Sequence, residues 1–192
     1  MAFTVVYDAC VLYPAPLRDL LLRIAQTGLV RARWTELILD ECFESLSKDR
    51  PDLSADLLLR TRRLMNDAVP DCLVPAHELV VVNVRLPDPG DLHVLAAAVT
   101  CGAQAIITFN LSDFPPDALA PLGLEAKHPD DFVLDAIHLQ PALVVSLIEQ
   151  QCSALKRPPM TVEELLGVLR ARGLPQSVAK LHELRGSQYP DE

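Results

Sequence analysis

Apolar positions along this chain follow two spacings, and each predicts a different element. Phe3-Thr4-Val5-Val6-Tyr7 is a short, nearly unbroken apolar run with β-branched residues, which reads as a buried strand closing at Asp8 and the turn Tyr13-Pro14-Ala15-Pro16. Leu17, Leu20, Leu21, Ile24 and Ala25 then recur at helical spacing, and Gly28 stands where a helix would stop. Thr35 is placed to cap a second helix carrying Leu37, Ile38, Cys42, Phe43 and Leu46. Residues 54–68 carry a third helical pattern, with Arg60, Arg62 and Arg63 toward its end. The runs 79–84 and 105–109 are again strand-like, and Asp91 opens the helical run Leu92 to Ala98. Strands separated by helices predict an α/β layer with a mainly parallel sheet, whose ligands bind beyond the carboxyl ends of the strands.

After about residue 135 the pattern becomes helices without strands. Pro158-Pro159 breaks the chain, and Thr161-Val162-Glu163-Glu164 has the form of a capping box. Gly173 and Pro175 precede a last helix through Val178, Leu181 and Leu184. The expected division is a first domain over 1–135 and a small helical appendage over 136–192.

Half of the 192 residues are hydrophobic, enough for a full core, so disorder is not expected. The net charge of −9 excludes a protein that coats nucleic acid by bulk charge, and an anionic polymer would have to be held locally. Five dispersed cysteines, with no Cys-x-x-Cys pair, point to neither a zinc site nor a disulfide framework. The N-terminus lacks a basic leader followed by an apolar segment, and no apolar stretch reaches the ~20 residues of a membrane span. The expectation is a soluble, cytoplasmic protein with no membrane partner.

Four acids fall where strands should end and helices begin: Asp8, Glu41, Asp91 and Asp113. A carboxylate directly after a buried strand needs a partner, so Asp8 is the strongest of them. Asp88-Pro89-Gly90-Asp91 also reads as a helix start, with Asp88 as cap and Asp91 favoured by the helix dipole. Glu41 lies at the border of an acidic face shared with Asp40 and Glu44, and periodicity does not prefer it to either. Acids gathered at one sheet edge repel unless a cation joins them. Mg²⁺ or Mn²⁺, bound by oxygens and water, suits such an inventory.

Val5 to Leu12, Arg33-Trp34 ahead of Leu39-Asp40-Glu41, Asp88 to Ala98, and Ile107 to Phe114 occur in an order that resembles the PIN-domain family of metal-dependent ribonucleases, specifically its VapC-like toxins. The resemblance covers roughly residues 1–135 and implies a PIN-like three-layer α/β/α fold. It also implies an endoribonuclease acting on single-stranded or loop RNA, a Mg²⁺ or Mn²⁺ site, a cognate antitoxin and room for a homodimer. The metal site it implies consists of Asp8, Glu41, Asp91 and one acid near the loop from Thr108 to Asp113. Two positions depart from the commoner pattern. Cys10 stands where many members carry Ser, Thr or Asn, and Asn110 where many carry Asp.

Charge favours Asp113 over neutral Asn110 as the fourth ligand, direct or through water. Thr108, Asn110, Asp88 and Arg18 are then supporting or substrate-positioning groups, with Arg23 and Arg33 further candidates for phosphate contact. His93 is set aside as a structural helical residue, and the other histidines are too dispersed for a metal site. Two readings compete: an Asp8-nucleophile phosphatase, which would carry a second Asp where Cys10 stands, and a noncatalytic PIN-fold interaction module.

Overall fold

The computed structural model describes residues 3–75, 84–156 and 158–188. β1 (Phe3–Tyr7) is followed by α1 (Ala9–Leu12), α2 (Ala15–Gln26), β2 (Val30–Arg33), α3 (Glu36–Asp49) and α4 (Ala55–Ala68). A 3₁₀ turn over Pro89–Asp91 leads into α5 (Leu92–Thr100), β3 (Ala105–Ile107), a second such turn over Leu111–Asp113, α6 (Pro116–Leu119) and β4 (Glu125–Lys127). Four helices close the chain: α7 (Pro129–Leu139), α8 (Pro141–Ala154), α9 (Val162–Ala171) and α10 (Pro175–Gln188).

The sheet has the order β2-β1-β3-β4, and every pairing is parallel. Parallel neighbours need crossovers; the one from β1 to β2 and the one from β2 past β1 to β3 run in opposite directions, so right-handed winding puts the connections bearing α2 and α5 on opposite faces. The direction of winding changes between β1 and β3, so a crevice opens at their carboxyl ends. Tyr7 pairs with Ile107 at that point in the register. On the sheet, the buried Tyr7 ring stacks on Trp34 at 6.2 Å and meets Phe132 edge-on at 6.0 Å.

Several expected signals are realised locally. The side chains of Thr35 and Ser54 accept from Ile38 N–H and Leu57 N–H and so cap α3 and α4. Thr161 and Glu164 make both bonds of the capping box. β2 and β4 are additions to the sequence reading. They are edge strands carrying Arg31, Arg33, Glu125 and Lys127, and such charge suits a sheet edge but obscures the apolar strand pattern. β3 ends at Ile107, earlier than the run 105–109 suggested, which leaves Thr108 and Phe109 free to shape the loop. The expected strand 79–84 lies outside the described residues except for Val84, which is in no strand.

The C-terminal helices share one core with the sheet. Leu165, Leu169, Leu174 and Leu181 belong to the same buried cluster as Val5, Leu17 and Ile106. Position 135 lies inside α7. Asp130, at the start of α7 and 2% exposed, accepts from Gln176 N–H at 2.9 Å and Ser177 N–H at 2.8 Å, which anchors the first turn of α10. A buried carboxylate is tolerated there because it faces unpaired helix N–H groups.

Candidate active site

Asp8 follows the last residue of β1, and its backbone N–H donates to Ile107 O at 3.1 Å, which ties it to the end of β3. The residue is 5% exposed. Oδ1 accepts from Ala9 N–H at 2.6 Å, while Oδ2 accepts from the Thr108 hydroxyl at 2.7 Å and the Cys10 thiol at 3.1 Å. The partner that a buried acid requires is therefore supplied by both strand ends. Thr108, fully buried, also accepts from Asn110 N–H at 2.9 Å, so one hydroxyl joins Asp8 to the loop beyond β3.

Cys10 keeps the hydrogen bond to Asp8 that a hydroxyl or amide at its position would make. Burial, then the Asp8 charge, pushes its thiol up to about 12, so at neutral pH it remains a protonated donor.

Asp8, Cys10, Tyr13, Glu41, Asp91 and Asn110 line one pocket of about 360 Å³. Asp91 reaches it from the 3₁₀ turn before α5. Asp88 caps that turn by accepting from Gly90 N–H at 2.7 Å, so the capping reading of Asp88 and the placement of Asp91 in the pocket hold together. Burial, followed by the charges of Asp8, Asp113, Asp88 and Glu41, raises the Asp91 carboxyl to about 6. Glu41 is raised as well, first by burial and then by Asp8, Glu44 and Asp40, against a lowering by His93.

The three acids of α3 are placed differently. Asp40 pairs with Arg62, Glu44 lies 3.9 Å from Lys48, and Glu41 alone of the three faces the pocket. His93 was set aside in the sequence, yet its Nε2 lies 3.5 Å from Glu41 Oε2. Its Nδ1 is 2.8 Å from Gly90 O; a carbonyl only accepts, so Nδ1 carries the proton. No sequence spacing links α3 to α5, and their approach is what reveals this neighbour.

Asn110 lines the pocket, whereas Asp113 stands in the following 3₁₀ turn, half-buried, outside the lining but near enough for its charge to act on Asp91. Arg18 faces elsewhere. Its Nη1 donates to Leu12 O at 2.7 Å and Tyr13 O at 3.2 Å, bracing the end of α1, and it lines other hollows. Arg23 pairs with Asp19 at 3.0 Å, and Arg33 borders a hollow beside β2.

Among the described residues, no three His, Cys, Asp or Glu side chains stand close enough in this conformation to hold one ion between them. The pocket is thus no closed protein cage. Its oxygen-rich lining and the acid–acid repulsion that adds to burial in raising Asp91 suit a hard divalent ion that keeps several waters.

A PIN domain family model matches residues 4–112, and a VapC50 C-terminal domain model matches residues 129–183. A protein of Mycobacterium tuberculosis (strain ATCC 25618 / H37Rv) named "Putative ribonuclease VapC50" is 43% identical over 100 residues, a stretch covering 52% of this chain and 59% of that protein. The match therefore spans less than two thirds of the relative's length. No solved structure matches the chain significantly.

Proposed function

Because the chain belongs to the PIN-domain family, we propose that it is a metal-dependent endoribonuclease, the toxin of a VapBC-type toxin–antitoxin pair. The observation that carries this reading is the meeting of Asp8, Glu41 and Asp91 around one pocket at the carboxyl ends of β1 and β3. We assign the ion to these three carboxylates, at least one of them reached through water because no three acids among the described residues close on a single point, with Asp113 as a direct or water-mediated ligand. A bound Mg²⁺ or Mn²⁺ would acidify a water and offset the charge of a phosphodiester.

The chain's own groups prepare that site. Thr108 and Cys10 fix the orientation of Asp8, and Asp88 holds the turn that presents Asp91. His93 stands beside Glu41, its Nε2 3.5 Å from the half-exposed carboxylate. Asn110, on the loop tethered to Thr108, lines the pocket, where its side-chain amide can meet a phosphate oxygen. The Asp8-nucleophile reading lacks its expected second acid, since Cys10 stands two residues on and donates to Asp8 instead. The nuclease unit is assigned to 1–135 and the extension to 136–192. The partners that follow from the reading are RNA and a cognate antitoxin, with a homodimer and a cytoplasmic site of action; no single helix among the described residues is long and apolar enough to cross a membrane.

Purified protein incubated with single-stranded RNA tests the proposal. Cleavage should require Mg²⁺ or Mn²⁺, cease with a chelator, and be abolished in Asp8→Asn and Asp91→Asn chains that retain the wild-type circular dichroism spectrum. Undiminished cutting by either variant removes that residue from the site, and cutting unaffected by chelation overturns the metal assignment.

A further inference from the structure

Tyr13 lines the acidic pocket and also an adjoining hollow of about 360 Å³. Phe43, Leu46 and Leu57 make the second hollow apolar, and three arginines stand at it: Arg18 from α2, Arg50 at the end of α3 and Arg172 after α9. Two are already engaged. Arg18 donates to the carbonyls of Leu12 and Tyr13, and Arg50 makes a two-pronged pair with Asp52 at 2.8 and 2.6 Å. Arg172 is exposed, and its guanidinium has no hydrogen bond or ion pair among the described residues. Its field reaches the Tyr13 hydroxyl, which donates to Asp49 at 2.7 Å.

The position of Arg172 is set by tight packing beside the site. Gly173, the next residue, has φ +94°, and a Cβ there would lie 2.8 Å from Phe109 Cε1. Phe109 follows Thr108, and its N–H donates to Cys10 Sγ at 3.3 Å. α10, just beyond, is anchored by Asp130. The turn between α9 and α10 therefore bears directly on the loop that presents Thr108 and Asn110.

We propose that this hollow seats the nucleotide next to the cleaved phosphodiester, its base on the apolar floor and its flanking phosphate at Arg172, so that the C-terminal extension forms part of the RNA path. The inference rests on the ribonuclease reading above. In a chain of net charge −9 whose pocket is acidic, a flanking phosphate needs a local cation, and the Arg172 guanidinium has no partner among the described residues. Apolar and aromatic surface beside such a cation takes a base without regard to its sequence.

Binding of a labelled single-stranded oligoribonucleotide to the full chain, with Asp8→Asn to prevent cleavage, tests this across a salt series. Arg172→Glu should weaken binding roughly ten-fold and flatten the log–log salt dependence by about 0.7 per lost phosphate contact, whereas Arg172→Lys should retain most of the affinity. Arg31→Glu makes the same charge change on β2, beside a different hollow, and should cost less than about two-fold. Equal losses from Arg172→Glu and Arg31→Glu would mean bulk charge and overturn the proposal. So would undiminished RNA binding in Arg172→Glu alongside lost binding of polyglutamate, which would assign the hollow to an acidic peptide. Wild-type protein that cuts RNA while Arg172→Glu behaves as Arg31→Glu defeats this inference alone; wild-type protein that neither binds nor cuts RNA defeats the ribonuclease reading with it.

Discussion

Individual side chains at the acidic pocket carry opposing demands of stability and chemistry. Asp91, raised from 3.8 to about 6 by burial and then by neighbouring acids, binds its proton more tightly folded than unfolded. Stability is therefore unaffected below pH 3.8, falls as pH rises toward 6, and stays reduced above it. Asp91→Asn should raise the stability of metal-free protein at pH 7 by about 1 kcal/mol, after allowing for solvent screening, and leave it unchanged at the acid end. Melting temperatures across pH check this; an increment that persists below pH 3.8 would contradict it. Divalent ion should stabilise the wild type more than the variant. Thr108 acts in the other direction, since Thr108→Val removes the shorter of the two side-chain donors to the buried Asp8 carboxylate and should destabilise by about 1–3 kcal/mol in a denaturant titration, with Thr108→Ser nearly neutral. For the fourth ligand, charge competes with reach: calorimetric titration of Mn²⁺ should show Asp113→Ala weakening affinity more than Asn110→Ala, and the reverse order would give the place to Asn110, which already lines the pocket.

At the level of elements, the site is assembled from pieces that do not touch in sequence. The ends of β1 and β3 are joined by Asp8, Thr108 and Cys10, and the 3₁₀ turn ahead of α5 and the start of α10 are each fixed by a carboxylate, Asp88 or Asp130. Asp130 is buried, so Asp130→Ala leaves two N–H groups of α10 without acceptors and should cost about 2–4 kcal/mol, read as a lower unfolding midpoint. The same change should loosen the turn bearing Arg172 and Gly173, so RNA affinity should fall with stability. A variant as stable as the wild type would show that α10 is held by its apolar contacts alone.

For the whole molecule, the continuous core across sheet and C-terminal helices decides how it unfolds. Leu165, Leu169 and Leu181 are buried together with Leu17, Leu20 and Ile24, so the extension has no separate core to retain when the first part melts. One cooperative transition is expected, with fluorescence of Trp34, the single tryptophan, coincident with loss of helical circular dichroism. Two separated transitions would show independent units. Removal of residues 141–188 should expose the apolar faces of α2 and α7 and yield aggregating protein.

Sequence alone determined what is written locally. Val5 to Asp8 specified a buried strand ending in an acid, Thr161 to Glu164 specified a helix start, and Asp88 specified the cap ahead of Asp91, because each depends on neighbours a few residues away. The order of these segments was enough to indicate the PIN family. Edge strands β2 and β4 escaped notice because their charges suit a sheet margin and break the apolar pattern. Periodicity left Glu41 level with Asp40 and Glu44, and the family resemblance named it; the tertiary structure set Glu41 at the pocket, while Arg62 and Lys48 draw the other two. Only the tertiary structure brought His93 to Glu41, turned Arg18 away from the pocket, and set Arg172 beside Tyr13. Those placements follow from how distant elements pack, and spacing along the chain carries no record of them.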